Sequence, residues 1–197
     1  MYHLYTTEAF VLRVSPVGEA NNQYTLFTRE LGLVRAVAQG VRFEKSKLRH
    51  ALLEYSYSTV VLVRGKNSWR LTSAAPLGVT YRDLRCSSVT GTAVFVRACS
   101  LLRRLLHGEE KNGELFDTIS SAYRFVRAGE LSEDLVVSFE YLFALRVLYH
   151  LGYVGDIPAI HRLIASPYWD NEILKDMGKF HTEALSEINR SLGASQL

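Results

Sequence analysis

The sequence predicts an α+β chain of two domains, an N-terminal five-stranded OB-fold β-barrel (residues 1–79) followed by an all-α helical domain (residues 80–197). Three observations predict it. Short β-rich runs punctuated by turn residues occupy the chain as far as Pro76. Beyond Leu77 the apolar residues recur at helical spacing instead. The positive charge is also confined to the front: residues 1–85 carry 12 Lys and Arg against 6 Asp and Glu, whereas residues 86–197 carry 11 against 14. A basic half joined to a mildly acidic half points to a polyanionic partner for the first half alone.

The strands follow in order. Glu8–Val14 is a β-rich run closed by the turn formers Ser15-Pro16-Val17-Gly18. Gln23–Arg29 and Leu33–Ala38 flank the short link Glu30-Leu31-Gly32 and form a hairpin, which Gly40 ends. Tyr55–Arg64 alternates most clearly, with Tyr55, Tyr57, Thr59, Val61 and Val63 on one face. Gly65-Lys66-Asn67 turns it into Ser68–Ala74, and Pro76 stops the last strand. Five short strands with brief turns suit a small closed barrel. The longer connection Val41–Glu54 is expected to hold one or two helical turns within Lys45–Leu53.

The helices are read from periodicity and caps. Val89–His107 places Ala93, Val94, Val96, Leu101, Leu102 and Leu105 along one side. Glu114–Arg127 turns Leu115, Ile119, Ala122 and Val126 inward and ends at Gly129, a C-cap glycine. Ser132 offers an N-cap to a helix over Asp134–Leu151, apolar around most of its circumference and therefore central, and Gly152 ends it. Short helices near Pro158–Ala165 and His181–Leu192 complete the chain.

The chemistry-bearing stretch is Arg35–Arg49. It holds Arg35, Arg42, Lys45, Lys47 and Arg49 around an aromatic, Phe43, and Arg29 could join them across the hairpin. Cations that track a phosphate backbone beside a ring that stacks a base are the composition of a single-strand groove. Arg64, Lys66, Trp69 and Arg70 repeat the combination. The competing reading is a basic surface loop with Phe43 plugging the barrel end. Trp69, Tyr55 and Tyr57 read as core before they read as stacking platforms.

Enzyme and metal signatures are missing. Cys86 and Cys99 form no CxxC pair, and His3, His50, His107, His150, His161 and His181 show no HxxxH spacing, although His150 and His161 could approach one another. The chain has no P-loop, GxSxG or GxGxxG. The acid pairs Glu109-Glu110 and Glu133-Asp134, and Asp170 with Glu172, need no catalytic explanation. No enzymatic activity, metal or cofactor is expected. Low cysteine content and a start, Met1–Glu8, without a signal-peptide pattern make a soluble cytoplasmic protein the expectation.

The order of motifs resembles the RecO family of bacterial mediators of recombinational DNA repair. The resemblance is carried by Thr7–Leu12, Gly18-Glu19-Ala20, Leu26–Gly32, Val37–Arg42 with Lys45–Leu48, and Trp69–Ala74. In the second half it is carried by Gly113–Phe116, by Phe139-Glu140 through Leu148, and by His150–Tyr153. It implies an OB-fold on a helical domain that binds single- and double-stranded DNA and anneals complementary strands. It further implies assistance to recombinase loading with the RecR ring protein, and capture of the C-terminal tail of the single-stranded DNA-binding protein by the helical domain. Carried over by position, the DNA contacts are Arg35, Arg42, Lys45, Lys47 and Arg49, and the charge reading adds Arg29, Phe43, Lys66 and Arg70.

Three positions depart from the family pattern. Gln39 stands where a lysine is usual, Val154–Ala165 lacks the cysteines of the zinc module that many members carry, and Val137-Ser138 stands where a basic residue often precedes Phe-Glu. Two rival functions fit the same residues. One is a protein-interaction adaptor whose barrel binds nucleic acid weakly or not at all, and the other is an RNA-binding OB-fold protein.

Overall fold

The computed structural model describes residues 3–66, 68–155 and 157–194. Asn67 of the expected Gly65-Lys66-Asn67 turn and the first two residues of the chain lie outside them. The chain divides into two compact units, residues 1–83 with 107–112, and residues 84–106 with 113–197.

The first unit is a closed barrel of five strands: β1 (Leu4–Val17), β2 (Asn21–Thr28), β3 (Gly32–Ala38), β4 (Tyr57–Arg64) and β5 (Trp69–Pro76), arranged β1-β2-β3-β5-β4. All neighbours are antiparallel except β3 and β5, which run parallel. This is the five-stranded OB-fold. β1 extends well past the expected Glu8–Val14, because a barrel needs one strand long enough to close it. Its first part, Leu4–Phe10, pairs with β4, and its second, Ala9–Val17, pairs with β2. Pro16, read from the sequence as part of a turn, lies in the strand opposite Asn22. It is tolerated because β4 pairs only as far as Phe10, so no ladder bond is lost on the second side.

The barrel core contains Ala9, Val11, Tyr24, Leu26, Val34, Ala36, Val60, Leu62, Trp69 and Leu71. On β4 the inward residues are thus Val60 and Leu62, and the alternating set picked out by sequence (Tyr57, Thr59, Val61, Val63) takes the outer side. Tyr55 falls outside the strand, in the left-handed region at φ 63°. Two bulges reset the alternation. One in β1 between Val11 and Arg13 lets both Val11 and Val14 face the core. The other lies in β5 at Thr72, opposite Val61 and Leu62, so that Trp69 and Leu71 fill the core before it while Ala74 packs on the core after it.

The connection from β3 to β4 forms no helix. Residues 39–55 are successive turns, closed by bonds such as Phe43 N–H to Gly40 O (3.2 Å), Ser46 N–H to Phe43 O (3.0 Å) and Ala51 N–H to Leu48 O (3.2 Å). Burial explains the difference. Val41 and Leu52 enter the barrel core and Leu48 packs against it. The hydroxyls of Ser56 and Ser58 both donate to Ala51 O, at 3.0 and 2.6 Å, and fix the chain over the barrel end. Tyr55 N–H, which a continuing helix would turn to Ala51 O, instead donates to Val11 O (2.7 Å).

Residues 107–112, between two helices in sequence, belong to the barrel unit. β3 and β5 share only the pairs Ala36–Trp69 and Val37–Arg70, which leaves the start of β3 paired with β2 but without a strand neighbour on its other side. The 107–112 segment straps this gap. Leu33 N–H donates to Gly108 O (3.2 Å), Lys111 pairs with Glu30 (2.7 Å), and the Trp69 indole N–H donates to Glu109 (2.7 Å).

The second unit is helical: α1 (Tyr81–Ser87, which begins within the barrel unit), α2 (Val89–Leu105), α3 (Gly113–Ala128), α4 (Val136–His150), α5 (His161–Ala165), α6 (Asn171–Gly178) and α7 (His181–Ala194). α4 packs against α2, α3, α5, α6 and α7, as its apolar circumference requires. Gly129, at φ +70°, ends α3 as expected of a C-cap. Ser132 precedes a 3-10 turn, Glu133–Leu135, and its side chain makes no capping bond. α1 and α6 went unread in the sequence. α6 carried a legible start, since Asp170 caps it by accepting from Ile173 N–H at 2.7 Å.

At the centre of this unit the fully buried Arg146 donates to Leu163 O from Nε (3.0 Å) and Nη2 (2.8 Å), and to Tyr168 O from Nη1 (2.8 Å). Its guanidinium lies 4.1 Å from the Trp169 ring centroid. Burial pushes its pKa down to about 9 against the opposing charge of Asp170, which leaves it protonated near neutrality and able to hold the α5–α6 link. No helix among the described residues is long and apolar enough to cross a membrane.

Candidate nucleic-acid interface

The outer face of β1, β2, β3 and β5 changes character along the barrel. Toward one end it is apolar, with Phe10 opposite Phe27 and Tyr57, and the Phe10 and Tyr57 rings stacked at 4.5 Å. Toward the other end it is polar and cationic. Arg13 pairs with Thr25, and Thr25 with Arg35, so exposed arginines flank a threonine across three strands. The next row runs Ser15, Gln23, Val37 and Arg70, again with an exposed arginine at its edge.

Both bulges are needed for this face. Strict alternation from Val11 would turn Arg13 inward, and strict alternation back from Ala74 would do the same to Arg70. One extra residue in each strand keeps the guanidinium groups in solvent. Sequence reasoning passed over Arg13 because a bulge has no compositional mark here. Parity with Val14, which reads as apolar and inward, was the available signal.

The loops at this end extend the surface. Arg42 is exposed but anchored to the β1–β2 turn: Nη1 donates to Gly18 O (2.9 Å) and its backbone N–H to Ala20 O (3.0 Å). Phe43 is 64% exposed, so it stacks on nothing that would hide its ring and does not plug the barrel. Lys66 is exposed in the β4–β5 turn, which Gly65 N–H to Ser68 O (3.0 Å) closes. Lys45, Lys47 and Arg49 are exposed along the 39–55 connection, with Leu48 between them directed at the core. Arg35, Lys45, Lys47, Arg49, Lys66 and Arg70 make no ion pair with any described residue. Gln39, exposed just after β3, adds no charge.

Arg29 stands apart. It follows the far end of β2, four residues or about 13 Å from Thr25, and its Nε donates to Glu8 Oε2 at 2.8 Å. It therefore does not join Arg35 across the hairpin. Trp69 and Tyr57 are buried, at 3% and 6% exposure, and provide no free stacking face.

Among the described residues no group of three or more His, Cys, Asp or Glu side chains could hold a metal ion. Cys99 is buried and its thiol pKa is pushed up by desolvation, whereas Cys86 is exposed. His150 bonds Thr118 Oγ1 at 3.1 Å, and burial lowers its pKa despite Glu114 3.7 Å away. In the helical unit Ser138 bonds His181 at 2.9 Å, while Arg97 of α2 clamps Glu140 through two bonds of 2.6 and 2.7 Å.

Strand order, a cationic outer face and an all-helical second unit define an OB-fold protein of two units. The comparisons place it more narrowly. Residues 1–79 match the family model described as Recombination protein O N terminal. The chain is 32% identical over 157 residues to the DNA repair protein RecO of Heliobacterium modesticaldum (strain ATCC 51547 / Ice1), covering 78% of this chain and 54% of that protein. It is 28% identical over 138 residues to the DNA repair protein RecO of Alkaliphilus metalliredigens (strain QYMF), covering 70% and 55%. Residues 1–79 are thus a RecO-type N-terminal domain, and most of the chain is similar to RecO proteins. The chain spans about half the length of the curated relatives it matches.

Proposed function

We propose that the chain serves recombinational DNA repair in the cytoplasm as a non-enzymatic mediator that binds single- and double-stranded DNA and anneals complementary strands. The observation that carries the reading is the solvent-facing arginine set Arg13, Arg35 and Arg70 on the β1-β2-β3-β5 surface, continued by Arg42, Phe43 and Lys66 in the adjoining loops. Exposed cations neutralise phosphates along a strand, and an exposed ring gives an unstacked base a surface to cover. Two strands neutralised on one surface can then meet without mutual repulsion. The relatives' names, DNA repair protein RecO, support the biological setting. Cooperation with the RecR ring protein, a role in recombinase loading and capture of the single-stranded DNA-binding protein's tail by the helical unit complete the proposal.

Salt-dependent binding of a fluorescent single strand, followed by a strand-annealing assay, tests it. With about five phosphates contacted, the affinity should fall with a log–log salt slope of about −3 to −4. Combined Arg42→Ala, Lys45→Ala and Lys47→Ala should weaken binding and flatten that slope. A chain that binds no DNA at low salt ends the proposal.

A further inference from the structure

The barrel carries a second cation–aromatic group that the interface above does not use. Arg64 lies with its guanidinium carbon 5.3 Å from the Trp69 ring centroid, and the Tyr5 ring meets Trp69 edge-on at 5.1 Å. One carboxylate serves this group. Glu109 Oε1 accepts the Trp69 indole N–H at 2.7 Å, and Glu109 Oε2 faces Arg64 Nη1 at 3.3 Å. Two oxygens of one anion thus bridge an indole donor and a guanidinium, the arrangement two non-bridging oxygens of a phosphodiester would make with the same groups. Arg64 follows β4 directly into the turn that carries Lys66, and Trp69 directly precedes Arg70, so the occupied group adjoins the cationic face.

We infer that Glu109 is a built-in phosphate mimic that withholds Arg64 and the Trp69 N–H from nucleic acid and so sets one limit of the DNA-binding surface. The inference rests on the proposed DNA binding. An exchange of partners is feasible because the Arg64 and Glu109 side chains are 64% and 39% exposed, and a solvated pair of this kind is held weakly. A phosphate that arrives from the side of Arg70 or Lys66 competes with Glu109 for Arg64. Glu110, the next residue, is exposed and makes no ion pair with a described residue, which makes it an internal control for charge alone.

The test compares binding of a fluorescent oligothymidylate by the full chain, Glu109→Gln, Glu109→Ala, Glu110→Gln and the double variant Glu109→Gln/Arg64→Ala, with thermal melts confirming that each is folded. Glu109→Gln keeps an acceptor for Trp69 and removes the charge. It should bind about three- to fivefold tighter at low salt, with a salt slope steeper by about 0.7 for one more phosphate. Glu110→Gln should change affinity by less than about twofold, and adding Arg64→Ala to Glu109→Gln should abolish the gain. Equal gains from Glu109→Gln and Glu110→Gln would overturn the inference, because only net charge would then matter. If the unmodified chain binds and neither Glu109 variant binds tighter, the inference falls and the DNA-binding function stands. If none of the proteins binds at low salt, both fall.

Discussion

At Gly32 the backbone holds φ +66°, and a Cβ there would lie 2.2 Å from the carbonyl oxygen of Glu110. A side chain is excluded twice, by the left-handed conformation and by the strap pressed against it. Gly32→Ala should therefore cost at least about 2 kcal/mol of stability in urea unfolding. Phe43 makes the opposite prediction. Its exposed ring contributes little to the fold, so Phe43→Ala should leave the melting temperature within a degree or two, while weakening single-strand binding by about 1 to 3 kcal/mol if a base stacks there. His150 sets a pH dependence. Its folded pKa lies below the ordinary 6.5 because burial disfavours the cation. The unfolded chain consequently takes up the proton first as pH falls through that value. Stability should decline from pH 7 toward pH 5, and His150→Asn should flatten that part of the profile.

The two β-bulges decide what each strand shows to solvent. Thr72→Ala loses one exposed bond, from Oγ1 to Val61 O at 3.1 Å, and should cost under about 1 kcal/mol. Deletion of residue 72 should cost several times more, because it removes the extra residue and turns Arg70 toward the core; paired thermal melts of the two variants compare them. The same bulges explain what was legible. Hairpin turns, the apolar period of α4 and the Gly129 cap could be read directly, because each depends on nearby residues. The long β1 could not, since its two halves answer to different partner strands. Arg42, Phe43 and the lysines that follow, Lys45 and Lys47, were legible as a charge run, whereas Arg13 needs the fold to bring it into line with Thr25 and Arg35. Sequence proximity to the cluster likewise gave no hint of Glu8 beside Arg29. The expected helix within Lys45–Leu53 lost to tertiary bonds, since Ala51 O accepts from Ser56 and Ser58 while Tyr55 N–H donates to Val11 O.

For the molecule as a whole, residues 107–112 show that the barrel is discontinuous in sequence. Residues 1–79 match a family model on their own, yet the compact unit borrows the strap. A fragment ending at residue 85 lacks the partners of Leu33 N–H, Glu30 and the Trp69 indole. It should unfold at lower temperature than the barrel of the full chain, with red-shifted tryptophan emission as the readout of Trp69.

Such a discontinuity also orders events during synthesis. Gly108 follows Leu33 by 75 residues, so a nascent chain that has just released β5 from the ribosome still has a seam open beside Gly32. The seam can be sealed only after all of α2 has been translated, and until then an unpaired strand edge is available to any extended peptide nearby.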